Sequence, residues 1–254
     1  LRLNLSRRGA KLLLDRRRVF VNDRRVWMAR HPLRPRDRVA VFLDAAPPAE
    51  TRPPRTLWND GRTLVADKPA GLLANGPDSA ESLLRAATGN AALRAVHRLD
   101  RDTSGCLLFA ANDACFTQLV ALFREGRVQK LYRAIAAGRV SGETTIDRPI
   151  ENRTAVTRLL VLDANRQASH LQVKIETGRT HQIRRHLAMI RHPILGDASY
   201  GPSGALDPLF QAIPRQMLHA FRLEYPDPET GAIIRAEAAL PRDFRTVLKQ
   251  VGLT

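Results

Sequence analysis

The stretch "VHRLDRDTSGCLLFAAN", residues 96–112, joins two unlike halves. The second is a short apolar run bounded by turn residues, the pattern of a buried strand. The first sets one carboxylate, Asp100, among His97, Arg98 and Arg101 just ahead of that strand. If "HRLD" is extended, residues two apart share a face, so Arg98 and Asp100 project the same way. His97 reads as structural. An Arg/Asp-rich turn is usually a solvated connection, and the rest of the chain decides whether this one is more.

Working outward, strand and helix patterns alternate irregularly. "TLVADKPAG" (63–71) reads as a strand entering a Pro-Gly turn, and "KLYRAIAAG" (130–138) and "SHLQVKIETG" (169–178) as further strands. "NDACFTQLVALFREG" (112–126) carries Phe116, Leu119, Val120 and Phe123 at helical spacing, with Asn112 as cap and Gly126 beyond the end. "RTHQIRRHLAMIRH" (179–192) reads as a helix ended by Pro193, and residues 217–240 as a hairpin across "DPETG". Strands outnumber helices without a regular alternation. The fold class is therefore α+β, with a mixed, largely antiparallel sheet and flanking helices, rather than doubly wound.

Residues 1–43 read as a small α+β module. Ser6 caps a helix through "RRGAKLLLD", "RVFVNDRRV" forms two strands about an Asn22-Asp23 turn, and "RPRDRVAVF" forms a last strand. Residues 44–56 hold four prolines and read as a linker, semi-rigid where the prolines cluster. That leaves 57–254 as the main domain.

The net charge is +16, and it is uneven: residues 1–43 hold 13 Lys and Arg against three Asp. A compact basic module is the electrostatic footprint of a nucleic-acid binder. Coding bias explains why only five of the 41 basic residues are Lys, but not the excess over acids. No apolar run approaches the roughly 20 residues that span a bilayer, and the basic start lacks the apolar core of a signal peptide. Two cysteines without a CxxC fit a reducing cytoplasm, and the protein is expected to act there as a monomer.

The motifs that are missing narrow the chemistry. No GxxxxGK[ST] or GxGxxG opens a helix, Ser104 stands outside any GxSxG elbow, and there is no HExxH. His181 and His186, five apart, are poorly spaced for a shared metal, so neither metal nor cofactor is expected. Asp100 and Asp102 lack a marked partner across a cleft, against a two-carboxylate glycosidase. What remains is one carboxylate among cations, a poor general acid but suited to a nucleophile or an ion-pair anchor.

Five segments, in order, then resemble the RluA family of RNA pseudouridine synthases over roughly residues 57–245. They are "LVADKPAGLL" (64–73), "VHRLDRDTSG" (96–105), "KLYRAIAAG" (130–138), "ETGRTHQIRRHLAMIRHPILGDASYG" (176–201) and "LHAFRL" (218–223). The resemblance implies breaking the N1–C1′ bond of a uridine, rotating the uracil and rejoining it through C5, with no cofactor. It places Asp100 as the catalytic aspartate, attacking ribose C1′ or uracil C6 or assisting glycal formation. Tyr132 becomes the tyrosine that packs on the base and helps remove the C5 proton. Arg184 becomes the aspartate's partner, because a guanidinium can hold a carboxylate bidentately.

By the same resemblance Ile183 lines the base pocket, and Arg179, His181 and Gln182 fall in the substrate-binding block. Arg98 matches the residue that fills the space left by a flipped base. In an Arg-dominated chain, Lys68 and Lys130 inside motifs suggest that a compact ammonium is needed, either to support the site or to touch phosphate. Residues 1–43 are similar to an S4 RNA-binding domain, departing from it at Asp23 and Arg36, where glycine is expected. Together these favour ribosomal over transfer RNA as substrate. An RNA-binding assembly factor on a synthase scaffold and a base-releasing N-glycosylase are the rival readings. The presence of Asp100, Tyr132 and Arg184 argues against the first, and only the second would release free uracil.

Overall fold

The computed structural model describes residues 6–15, 19–22, 24–26, 32–41, 52–201 and 213–254. The chain divides into two compact units, Leu1–Thr51 and Arg52–Thr254. In the first, α1 (Arg7–Asp15) starts at Ser6, whose Oγ accepts the Gly9 backbone N–H at 3.1 Å. Strands β1 (Val19–Val21), β2 (Arg24–Val26) and β3 (Val39–Val41) form an antiparallel sheet in the order β2-β1-β3. Asn22 turns the chain at φ +50°, and its side chain reaches β3's approach by donating to Asp37 Oδ1 at 2.7 Å and accepting from the Arg38 N–H at 2.9 Å. Its expected turn partner, Asp23, lies outside the described residues. Arg36 sits at φ +75°, the left-handed region that glycine enters without cost.

The second unit is built on one sheet. Its strands are β4 (Arg55–Asn59), β5 (Thr63–Lys68), β6 (Arg94–Ala95), β7 (Ser104–Ala110), β8 (Gln129–Ala137), β9 (Glu143–Asp147), β10 (Val156–Ala164), β11 (Ala168–Ile175), β12 (Leu218–Pro226) and β13 (Ile233–Glu237). The order is β4-β5-β7-β12-β8-β11-β10-β9, with β6 on β7 and β13 on β12. Among the described strands, β7 with β12 is the parallel pair and the other pairings are antiparallel. Helices α2 (Ala80–Thr88), α3 (Asp113–Arg124), α4 (Gln182–Met189) and α5 (Arg242–Gln250) flank it. This is the expected α+β class.

Every residue of β7 is buried, because both faces are covered. Leu107 and Phe109 pack in one cluster with Leu84 of α2, Ile183 and Leu187 of α4 and Phe244 of α5. The alternate residues Cys106 and Leu108 pack in a second cluster with Leu119 and Leu122 of α3. At its start, Gly105 has φ +110°, and any Cβ there would strike the Ala220 carbonyl. The missing side chain lets β12 approach β7 in parallel, His219 opposite Ser104 and Ala220 opposite Gly105. On its other edge β12 bulges between His219 and Arg222, across from Tyr132 of β8. A bulge re-aims neighbouring side chains, and this one sits between the two strands that carry Asp100's turn and Tyr132.

Some expectations shift. The helix expected from Arg179 starts at Gln182, because the Gln182 side chain takes the Arg179 N–H at 3.0 Å and His181 is left-handed at φ +54°. It stops at Met189, ahead of Pro193, with Arg191 again left-handed at φ +64°. Strand β4 takes in residues 55 and 56 of the stretch read as a linker, once the prolines at 53 and 54 are passed. Residues 44–51 of that stretch lie outside the described ones. Helices α2 and α5 and strands β9 and β10 carried no expectation. No described helix is long and apolar enough to cross a membrane.

Candidate active site

Asp100 lies in the tight turn that enters β7, where its carbonyl accepts the Thr103 N–H at 3.0 Å. Lys68 holds this turn from inside. Its Nζ donates to the carbonyls of Pro69 (2.9 Å), Leu72 (2.7 Å) and Arg101 (2.9 Å), so three N–H donors meet three acceptors. Burial pushes the ammonium down to about 7, against the field of Asp102. Lys68 is wholly buried and its ammonium is spent on these carbonyls.

Arg215 braces the same turn from the opposite side. Its Nη1 donates to the Asp102 carbonyl at 3.0 Å, while Nε and Nη2 hold Asp243 of α5 at 2.6 and 3.0 Å. Next to it, Gln216 Nε2 donates to Thr103 Oγ1 at 3.3 Å, and Ser104 Oγ lies 2.9 Å from His219 Nδ1. Residues 102, 103 and 104 are thus each tied to the segment before or within β12. Neither Arg215 nor Asp243 carried an expectation. The available signal was "RQ" standing just ahead of "LHAFRL".

Arg184 projects from α4 with its side chain 6% exposed and donates Nη1–H to Asp100 Oδ2 at 2.8 Å. Its remaining reach goes to Asp197, Nε at 2.6 Å and Nη2 at 2.9 Å, and to Ser199 Oγ at 3.1 Å. Burial alone would raise the Asp197 carboxyl. The Arg184 fork, with the N–H groups of Ser199 and Tyr200, outweighs that and holds it below the ordinary range. Arg184 is oriented by Asp197, and it orients Asp100. Asp197 and Ser199 were legible only as letters of the "GDASYG" block.

The other expected residues divide by what their side chains already do. Tyr132, 7% exposed, sits in the core cluster with Ile183, and its hydroxyl has no partner among the described residues. Burial first, then the Asp100 charge, raise its phenol above the ordinary range. Arg98 is exposed, and its guanidinium makes no hydrogen bond or ion pair among the described residues. Lys130 is half-buried, with Nζ 5.5 Å over the Phe123 ring. His97 accepts the Leu108 N–H at 3.1 Å, a structural bond.

In the "GRTHQ" block, Gln182 is spent inward: it accepts from Thr177 Oγ1 and the Arg179 N–H, and it donates to Val156 O and Thr157 Oγ1. With its side chain so engaged and 3% exposed, it shapes the turn and is not placed to hold substrate. Arg179 donates Nε–H to the Thr154 carbonyl at 2.9 Å. His181 stands beside Asp100, Nε2 to Oδ1 at 3.7 Å. Among the described residues no cluster could hold a metal.

The fold thus brings together a half-buried carboxylate oriented by a buried arginine and a buried phenol on the same mixed sheet. The family model described as RNA pseudouridylate synthase matches residues 62–189, which contain Asp100, Tyr132 and Arg184. The chain is 34% identical to ribosomal large subunit pseudouridine synthase D of Pseudomonas aeruginosa, over 90% of this chain and 84% of the relative. It is 37% identical to the protein of the same name from Xanthomonas campestris, over 77% and 69%. The solved structure of human RNA pseudouridylate synthase domain containing 4 superposes with a TM-score of 0.65 at 26% identity, over 78% of this chain and 93% of that one. The chain belongs to the RNA pseudouridylate synthase family and is an isomerase.

Proposed function

We propose that this enzyme converts specific uridines of large-subunit ribosomal RNA to pseudouridine, cofactor-free, with Asp100 as the reacting group and the target base flipped out of its stem. The observation that carries the reading is the state of Asp100: one oxygen is fixed by Arg184 at 2.8 Å, yet the side chain keeps 27% exposure. A carboxylate so held is oriented for attack and open to a substrate. The rearrangement breaks N1–C1′, forms C5–C1′, loses the proton from C5 and gains one from solvent at N1, so the product is an isomer and no group is consumed. Tyr132, kept as a phenol, suits packing on the base and hydrogen bonding. The named relatives support ribosomal RNA as the substrate. The basic residues 1–43 support an S4-like grip on phosphates, and two buried free thiols fit a cytoplasmic setting.

The test is to map pseudouridines in unmodified large-subunit ribosomal RNA after incubation with the wild type and with Asp100→Asn, which keeps the shape and removes the charge. Site-specific conversion by the wild type, reduced about 10³-fold or more in the variant, is expected. Turnover by Asp100→Asn near the wild-type rate would refute the assignment. Flipping is tested separately through Arg98, whose exposed guanidinium lies two residues before Asp100. Arg98→Ala should slow single-turnover modification of a stem-loop uridine much more than that of a flexible single strand, since unstacking costs a few kcal/mol only in the former. Equal fractional losses would make Arg98 an electrostatic partner of Asp100 instead.

A further inference from the structure

Arg184 occupies one oxygen of Asp100 and leaves the other, Oδ1, to His181, whose Nε2 lies 3.7 Å away. The opposite ring nitrogen, Nδ1, is 3.1 Å from the hydroxyl of Tyr200. The two rings meet edge to face, with centroids 5.7 Å apart, and the Tyr200 ring also lies 5.1 Å from the Arg184 guanidinium carbon. His181 reaches this place by an uncommon route. It is the N-cap of α4, a position that Ser, Asp or Asn usually fills with a side-chain bond to the helix, yet it makes no such bond. Its backbone is left-handed at φ +54°, a conformation that residues with a side chain enter only at a cost. Strain kept without a cap leaves the direction of the ring as what the conformation secures.

We propose that His181, with its tautomer set by the Tyr200 hydroxyl, is a positioning residue that donates from Nε2 to Asp100 Oδ1. A neutral imidazole has one N–H and one bare lone pair. Facing a carboxylate, the ring puts its proton on Nε2, which leaves Nδ1 needing a donor, and the Tyr200 O–H supplies it. The chain of bonds is Tyr200 O–H to Nδ1, then Nε2–H to Oδ1. The gap of 3.7 Å closes to a hydrogen bond when substrate orders the site, as happens with catalytic contacts that are long in a free enzyme.

The groups facing His181 are Asp100, Arg184, Arg185, Asp197 and Tyr200, with Glu151 pairing Arg185 at 2.7 Å. Burial is the largest influence and holds the imidazole neutral. Tyr200 adds to this by occupying the lone pair that would otherwise take a second proton. Asp100 therefore keeps a single full positive partner, Arg184, and two fixed donors.

This inference rests on Asp100 being the reacting group, and the experiment separates the two. The protein is labelled with ¹⁵N-histidine, and the His181 signals are assigned by their loss in His181→Asn. Asparagine tolerates positive φ but is too short to reach Asp100. The wild type should show the neutral Nε2–H form at pH 7.5. Tyr200→Phe, which keeps the ring contacts, should raise the His181 pKa by about half a unit or more. His181→Asn should lower kcat about tenfold with KM unchanged, and Tyr200→Phe should move the acid limb of kcat upward with the histidine. An Nδ1–H form in the wild type, an unmoved pKa in Tyr200→Phe, or wild-type kcat in His181→Asn would overturn the proposal. If Asp100→Asn is inactive while any of these fails, this inference falls alone. If Asp100→Asn stays active, the reading beneath it falls as well.

Discussion

Arg184 and Arg215 are both buried arginines, each with its side chain 6% exposed and each forked onto an aspartate. Arg184 grips Asp197, which is wholly buried, and extends one free N–H to a carboxylate that the solvent still reaches. Arg215 grips Asp243, which is 39% exposed, and turns its other donors onto the carbonyls of Asp102, Gln216 and Leu218. The same chemistry serves two ends. One arginine orients a carboxylate, and the other fixes the backbone of the turn that carries it. The difference lies in where the last donor points, and no property of arginine alone decides that.

The sharpest way to break this comparison is to replace both by lysine, which keeps the charge and removes the fork. In Arg184→Lys a single ammonium cannot reach Asp100 and Asp197 together. We expect kcat to fall about 10²-fold, and stability to fall by about 3 kcal/mol because a buried carboxylate loses its partner. In Arg215→Lys the carbonyl bonds are lost. Stability should drop by about 2 kcal/mol, discounted for the exposure of Asp243, while kcat changes less than about tenfold. Single-turnover kinetics and urea unfolding on the two variants decide it. Equal losses of kcat would abolish the distinction.

Lys68 extends the comparison to a third buried cation that holds only carbonyls. Lys68→Arg forces a larger, planar group into a fully buried tripod, at a cost of about 2 kcal/mol from overpacking and misdirected donors. Thermal melting measures it, and an unchanged melting temperature would mean that the turn is not held from inside.

The smallest effect is common to both arginines and appears in acid. Burial tends to raise both Asp197 and Asp243, yet their arginines win and the carboxyls lie below the ordinary range. A carboxylate whose folded pKa is depressed contributes stability that is present above its unfolded value of about 4 and lost as pH falls through the folded one. Both pairs should therefore hold at neutral pH and fail below about pH 4. Unfolding free energy measured from pH 6 to pH 3 should fall less steeply in Asp197→Asn than in the wild type. A steeper acid loss in that variant would show that Asp197 is not held ionised by Arg184.

How far the site was legible depended on how far apart its parts lie in the chain. The strand pattern of "GCLLFAAN", the cap at Asn112 and the turn "DPETG" are carried by neighbouring residues, so period and turn chemistry suffice. Lys68 was legible for another local reason: in a chain with 36 Arg, a lysine inside a motif marks a space that only a compact ammonium fits. The place of Gln182 among motif letters does not show that its amide is engaged by Thr177, Arg179, Val156 and Thr157. Helix α4 started late for the same reason, since a side-chain bond replaced its first turn.

By itself the sequence determined the α+β class and the family, because both are carried by motifs of residues close together in the chain, and those motifs contain Asp100, Tyr132 and Arg184. Only the tertiary structure decided that Arg215 braces a turn 113 residues away, that Asp197 aims Arg184, and that His181 and Tyr200 face the second oxygen of Asp100. These are choices of direction among long-range partners. A side chain's donors are fixed by its type, but where they point is settled only when β12 slides against the bare Cα of Gly105 and the sheet closes around the turn.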